Sequence, residues 1–437
     1  MDYQKRMDAR DQRCKDFLQD RFGMFIHWGL YAIPAKGEWL MNNEEIPRSR
    51  YEKYAEEWNP VRFDAKKWAA AAKAAGMKYA ILTTKHHDGF CLFDSKETDY
   101  TSMHTPFGRD IVKEFVEAFR AEGLKVGFYY SLLDWHHPDF PVKGDAHHPE
   151  RNQENPPEGN FPAYLDYMHA QVRELMTNYG KIDILWFDFS YEDKIGDAWR
   201  GTELVRMVRE LQPDIILNNR LEGSGSAYSS LITDEPGELA GDFACPEMMI
   251  PPDGLTTPSG RQVPWEVCVT LNNHWAYAPL DYDYKSAAQI IRKLAECCSK
   301  NGNLLLNIGP NAKGEIPAEQ LKILEAIGDW MTRNGESIYG CKAADLPKPE
   351  WGRFTAKGDK LYAHIFDKPL GAIPLPGLKG KVEAARRLCD GSEMTIETPW
   401  GLSIFPDYEF INYGHAESTY RIGDPIDEVI ELRLKKA

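Results

Sequence analysis

Short apolar runs alternate with amphipathic segments along the greater part of this chain, and few architectures accept that order. The strand candidates are Met24 to His27, Tyr79 to Thr83, Lys125 to Tyr130, Ile182 to Phe187, Ile215 to Leu217 and Asn303 to Ile308. Between them the 3.6-residue periodicity predicts helices at Ala65 to Ala75, Asp110 to Glu122, Tyr164 to Tyr179, Thr202 to Leu211 and Ser286 to Ser299. Gly76, Gly123 and Gly180 each close one of these segments, where a left-handed cap is expected. The repeated order of helix, glycine, apolar strand and polar loop predicts an α/β fold, a (β/α)8-like TIM barrel whose loops at the strand C-termini carry the chemistry. An open doubly wound sheet is the competing architecture. No GxGxxG or GxxxxGK[ST] follows any of these strands, so its nucleotide-binding forms lose their best support.

After a further helix at Ala318 to Arg333 the texture changes to Gly, Pro and short alternating runs. Phe354 to Phe366, Met394 to Thr398 and Glu428 to Leu434 read as strands of a half-buried antiparallel structure. The expected division is a catalytic barrel over residues 1–340 and a small β-sandwich over 341–437. No low-complexity linker separates them, so close packing is expected.

Charge narrows the partners. The 437 residues carry 52 Lys and Arg against 67 Asp and Glu, a formal charge of −15. From Cys341 onward 14 basic residues face 15 acidic ones, so about −14 of that charge lies in the first 340 residues. With no basic run in the sequence, nucleic acid is not an expected partner. No apolar run approaches the roughly 20 residues of a membrane span. The eight cysteines include no CxxC pair, which favours free thiols and a reducing compartment. The N-terminal stretch is polar and charged, unlike a secretory signal; a cytoplasmic location is expected unless a leader was removed, which would make the protein periplasmic or secreted.

Function is read from the strand ends. Successive strands end in His27-Trp28-Gly29, Lys85-His86-His87-Asp88, Tyr129-Tyr130-Ser131, Trp186-Phe187-Asp188 and Asn218-Asn219-Arg220. Together they can converge on one small, hydroxyl-rich ligand with aromatic faces over its apolar side. Asp188 ends the apolar run Ile184 to Phe187, where an ionised carboxylate needs partners. It is either half of a structural salt bridge or a nucleophile opposed by a second carboxyl that serves as acid and then base. Glu222, Asp234, Glu235, Asp242, Glu247 and Glu266 are the candidates for that second group, and spacing does not choose among them. A metal is not expected: adjacent histidines on a strand point to opposite faces, and no HExxH spacing occurs. His136 to His148 reads as a loop rimming the site.

The motifs RFGMFIHWG, GEWL, YAILTTKHHDGF, VGFYYSLLDW, LWFD, GDFACPE, WEVCVTLNNHWAY and GNLLLNIGPNAKGEIP together resemble the α-L-fucosidases of glycoside hydrolase family 29, from about Arg21 to Tyr339. The resemblance implies a retaining exo-glycosidase that removes terminal α-L-fucose from oligosaccharides or glycoconjugates, with no cofactor. It implies Asp188 as nucleophile and Glu247 as acid/base, with Glu266 read as a carboxylate that is structural or that supports the residues touching the sugar. It also implies His27, Glu38, Trp39, His86, His87, Tyr129, Arg220 and Trp275 as contacts to the sugar's hydroxyls and C5 methyl. One departure is Phe189, where many members carry Gly, which is expected to narrow the pocket or the approach of the aglycone. The alternatives are a glycosidase for a related sugar such as α-L-galactose and a carbohydrate-binding barrel without activity. Linkage preference and oligomeric state are left open.

Overall fold

The computed structural model of the protein describes residues 3–224, 228–412 and 424–435. Residues 1–2 and 225–227 of the expected barrel and 413–423 and 436–437 of the expected sandwich lie outside the described residues. Seven parallel strands form one curled sheet: β1 (Phe22–Ile26), β2 (Tyr79–Lys85), β3 (Lys125–Ser131), β4 (Ile184–Asp188), β5 (Ile216–Leu217), β6 (Trp265–Thr270) and β7 (Gly302–Ile308), in the order β5-β4-β3-β2-β1-β7-β6. The gap between β5 and β6 is bridged by residues 243–247, which pair in parallel with both neighbours through Asn218 and Phe243, Ala244 and Trp265, and Glu247 and Cys268. An irregular segment thus takes the place of the sixth stave of an eight-stave barrel, in chain order.

The two faces of each strand explain why the sheet curls. Alternate residues Phe25, Tyr79, Ile81, Ile184, Trp186 and Leu305 fill the lumen together with Phe243 and Cys245 of the irregular stave. Their neighbours Met24, Ile26, Ala80, Leu82, Leu185, Phe187, Leu304 and Leu306 belong to the outer core under the helices. The lumen is crowded with rings, and Gly23 is the proof: a Cβ there would lie 2.2 Å from the Tyr79 ring. Helix Tyr3–Asp20, which the polar N-terminal sequence does not announce, closes the lumen's N-terminal mouth by setting Phe17 against Phe243 and Tyr79, with ring centroids 4.7 and 5.6 Å apart.

The helices begin and end as their sequences dictate. Asp64 and Asp110 accept backbone N–H bonds from the first turns of helices Ala65–Ala74 and Ile111–Ala121, and Ser286 with Gln289 forms a reciprocal capping box on helix Ala287–Cys298. Gly76, Gly123 and Gly180 adopt φ of 85°, 73° and 71°, the left-handed stops expected of them.

The C-terminal part is an eight-stranded antiparallel sheet comprising β8 (Lys342–Ala343), β9 (Gly352–Lys357), β10 (Lys360–Ile365), β11 (Ile373–Pro376), β12 (Val382–Arg387), β13 (Glu393–Ile396), β14 (Tyr408–Asn412) and β15 (Glu428–Leu434). Phe354 to Phe366 is therefore two strands rather than one, folded about a turn at Gly358 with φ of 62°. Strands far apart in the sheet order, β11 and β14 at one end and β9 and β10 at the other, contribute Ile373, Ile411, Phe354 and Ile365 to a single core. The sheet must fold back on itself to do so, which makes it a sandwich. It packs against the barrel through Trp330 Nε1 to the Asp427 carbonyl at 2.9 Å and the Arg353 to Glu296 ion pair at 3.0 Å. All eight cysteines are free thiols, Cys297 and Cys298 included. Among the described residues no helix is long and apolar enough to cross a membrane.

Candidate active site

The site is built at the carboxyl ends of the strands, where each chain leaves the sheet. Asp188 is the last residue of β4, in register with Ser131 of β3. Both of its oxygens are held: Tyr129, two residues back on β3, donates its hydroxyl to Oδ2 at 2.8 Å, and Arg220 Nη1 donates to Oδ1 at 2.7 Å. Arg220 belongs to the short turn Asn219–Leu221 after β5. Its other terminal nitrogen, Nη2, donates to Glu247 Oε2 at 2.8 Å. One guanidinium fork therefore carries both carboxylates, the nearly buried Asp188 and Glu247, whose side chain is 44% exposed. Burial alone would lower the pKa of Arg220, but the two carboxylates raise it well above the usual arginine value.

Of the other carboxyls expected as possible partners of Asp188, none shares this arrangement. Glu222 is engaged by the Ser230 backbone and hydroxyl, Asp234 caps Ser259, and Asp242 pairs with Arg13 and Arg209 at the opposite end of the barrel. Glu266 lies inside the lumen, accepting hydrogen bonds from Tyr79 Oη and, at 3.3 Å, from Trp186 Nε1. The Trp186 ring in turn lies 4.7 Å beneath the Arg220 guanidinium.

The polar wall is supplied by histidines whose tautomers the surrounding bonds fix. Asn307 donates Nδ2 to the Trp275 carbonyl at 2.6 Å, so its Oδ1, 2.6 Å from His27 Nδ1, accepts the hydrogen bond of the imidazole N–H. Ser131 donates its hydroxyl to the Leu133 carbonyl at 2.9 Å, so His87 Nδ1, 2.7 Å from that oxygen, must also be the donor. Both rings are left with Nε2 as a bare acceptor, suited to a ligand hydroxyl. His86 Nδ1 is buried without a partner among the described residues. Burial lowers the pKa of His27 to about 4 and those of His86 and His87 well below the usual histidine value, so all three are neutral near pH 7.

The expectation that adjacent histidines point apart fails at His86 and His87. Their ring centroids are 4.1 Å apart and both line the cavity. β2 ends at Lys85, so the alternation of a strand does not extend to them. A buried ion pair beneath them, Lys85 to Asp134 at 3.0 Å, fixes the bend, with Asp134 Oδ1 also accepting the His136 and His137 N–H groups. Gly89, at φ of 77°, is required because a Cβ would meet that oxygen at 2.2 Å. Of the expected rim loop His136 to His148, His147 reaches the site, its ring 4.8 Å from Phe189 and 6.1 Å from Trp39; His136 instead stacks on Tyr100.

The remaining wall is aromatic. Trp39 packs on His87 and Phe189, and Trp275 on His27 and Phe25. Glu38, buried beside them, accepts the Ala276 N–H at 2.9 Å; burial raises its pKa against that bond. Every one of the ten residues singled out in the sequence, His27, Glu38, Trp39, His86, His87, Tyr129, Asp188, Arg220, Glu247 and Trp275, lines one cavity of about 140 Å³. Trp186, from a strand end, and Phe189, expected to narrow the pocket, also line it, while Phe25, Tyr191 and Cys268 complete it without having been singled out in the sequence. The period-2 pattern of Phe25 with His27 and of Trp186 with Asp188 carried that signal. Phe189 sits at φ of 73° and Met248 at 54°, so each of the two carboxylates is followed by a left-handed non-glycine residue.

Two buried groups set opposite pH limbs. The neutral histidines bind protons on unfolding below their ordinary pKa of about 6.5, so their contribution is lost as pH falls. Glu266 is raised by burial, against its two hydrogen bonds, from 4.5 to about 8, so its contribution is fully present below pH 4.5 and lost as pH rises toward 8. Glu266→Gln should therefore gain on the wild type in melting temperature as pH is raised from about 4.5 to about 8. A difference independent of pH over that range would contradict the buried, protonated carboxyl.

Comparison with known proteins agrees with this geometry. The sequence model of the family described as Alpha-L-fucosidase matches residues 1–336. The plasma alpha-L-fucosidase of Rattus norvegicus is 31% identical over 355 residues, covering 74% of this chain and 70% of that protein. Alpha-L-fucosidase isoenzyme 1 from Paenibacillus thiaminolyticus has a solved structure that is 58% identical, covers 98% of this chain and 100% of that one, and superposes with a TM-score of 0.93. An alpha-L-fucosidase from Bacteroides thetaiotaomicron, solved as a trapped covalent intermediate with 2-fluoro-fucosyl fluoride, is 32% identical over 98% of this chain and 97% of that one, with a TM-score of 0.83. On its sequence, its barrel and the pocket at the barrel's carboxyl end, the chain belongs to the alpha-L-fucosidase family, family 29 of the glycoside hydrolases.

Proposed function

We propose that the protein hydrolyses terminal α-L-fucosides with retention of configuration, Asp188 acting as nucleophile and Glu247 as acid and then base. The observation that carries this is the single Arg220 fork bonded to both carboxylates. Such sharing suits the short separation of retaining glycosidases, about 5 to 5.5 Å, better than the 6.5 to 9.5 Å that admits a water. In the first step Asp188 attacks the anomeric carbon, the glycosidic C–O bond breaks, and Glu247 gives its proton to the departing oxygen. In the second, the Glu247 carboxylate takes a proton from water, whose oxygen displaces Asp188 and frees the sugar. Tyr129 and Arg220 hold both oxygens of Asp188 and so aim it, while the partial exposure of Glu247 gives it access to leaving group and water. The chemistry is assigned to residues 1–340, with the sandwich from 341 to 437 as its support.

The bare Nε2 atoms of His27 and His87, with Glu38, supply acceptors for ring hydroxyls. The corner formed by Phe25 and Trp275 suits a C5 methyl. The test is an aryl α-L-fucoside and an aryl α-L-galactoside assayed side by side. The fucoside should be preferred, by roughly 10²-fold, the discrimination an apolar surface achieves against one added hydroxyl. Absence of release from either compound between pH 4 and 8 would leave only a carbohydrate-binding role.

A further inference from the structure

At the barrel end away from the pocket, helices Tyr3–Asp20 and Gly201–Leu211 enclose a second cavity, of about 560 Å³. Asp242, at the start of the irregular stave, lines it, while Glu247 at the other end of that stave faces the sugar pocket. The sequence has no basic run, yet helical spacing gathers Arg6, Arg10 and Arg13 on one helix and Arg206 and Arg209 on the other around this space. Two acids oppose these five cations. Asp242 is shared by Arg13 and Arg209, and Glu238 reaches Arg206 at 3.5 Å. Arg6 donates to the Pro236 carbonyl at 2.8 Å, and its Nε is buried without a partner among the described residues.

Arg10 is the anomaly. It is 3% exposed, and its hydrogen-bond partner among the described residues is the Met7 thioether at 3.4 Å, a weak acceptor. Burial lowers its pKa; Asp242 opposes that, while Arg261 and Arg13 add to it. A guanidinium removed from water without a bonded acid is destabilising unless an anion joins it.

We propose that this cavity binds a phosphate-class oxyanion, free or as a monoester, held by the Arg10 and Arg6 guanidinium groups. Planar forks match the paired oxygens of such an anion, and its charge neutralises the two arginines that lack a bonded acid. The cavity is larger than one phosphate, so a monoester is accommodated. No residue of the sugar pocket lines it, so the proposal stands apart from the hydrolytic reading.

The test is thermal unfolding and calorimetric titration with inorganic phosphate and with a hexose 6-phosphate, against sodium chloride at equal ionic strength. Wild type should melt higher in phosphate than in chloride. Arg10→Met should melt above wild type in chloride, gain nothing from phosphate, and keep wild-type turnover of an aryl α-L-fucoside. Should that variant not fold, Arg6→Gln should weaken phosphate binding at least tenfold. Tighter binding of the hexose phosphate than of phosphate assigns a monoester, and the reverse assigns the free ion. The proposal is overturned if phosphate acts no differently from chloride on wild type, or if Arg10→Met keeps the phosphate gain.

Discussion

Asp188→Ala should lower turnover of an aryl α-L-fucoside by on the order of 10⁴-fold, because it removes the carboxylate proposed to attack the anomeric carbon. The fold should survive, since Tyr129 and Arg220 sit on their own elements and Arg220 keeps Glu247 as a partner. Fucose binding should survive in part for the same reason: the histidines and Glu38 take their positions from Asn307, Ser131 and Ala276, not from Asp188. Removing the carboxylate also leaves a small space beside a cation. Azide admitted there should attack the anomeric carbon directly and give a fucosyl azide of inverted configuration, identifiable by nuclear magnetic resonance. Near-normal turnover by Asp188→Ala would show that the nucleophile lies elsewhere.

Glu247→Ala should separate substrates by leaving group. A natural oligosaccharide departs as an alkoxide unless protonated, and its hydrolysis should fall by roughly 10² to 10⁴-fold, the usual worth of general acid catalysis. An aryl fucoside with an acidic phenol needs little protonation, so its first step should be much less affected. The loss of the base in the second step should then make the fucosyl-enzyme accumulate, visible as a burst of phenol. Equal losses on both substrates would point to another acid, and Glu38 is the carboxyl left in the cavity, since Glu222 and Asp242 are committed to bonds outside it and Glu266 is held in the lumen by Tyr79 and Trp186.

Asp188 was legible in the sequence because a carboxylate at the end of Ile184 to Phe187 contradicts its neighbourhood, and such a contradiction asks for a function. The barrel was legible because the strands alternate with capped helices. What escaped were features created by folding rather than by local pattern. The irregular stave at 243–247 has too few ladder bonds to declare itself as a strand, and β6 went unread although Trp265, Val267 and Val269 alternate with Glu266, Cys268 and Thr270. The resemblance singled out Glu247, yet the fork that joins it to Asp188 comes from Arg220, distant from both in sequence, and no spacing rule predicts that meeting. The histidine pair misled because the rule of alternating faces was applied one residue past the end of a strand. The arginine cavity was hidden in the same way, its five cations being divided between two helices about two hundred residues apart in the chain.

The central claim, that hydrolysis passes through a covalent fucosyl ester on Asp188, can be tested by trapping. A relative from Bacteroides thetaiotaomicron is described as captured with 2-fluoro-fucosyl fluoride, and the same reagent should inactivate this enzyme. Intact-mass measurement should show one added 2-fluorofucosyl group per chain, and peptide mapping should place it on Asp188. A label on another residue, or undiminished turnover with no adduct after full exposure to the reagent, would contradict the account.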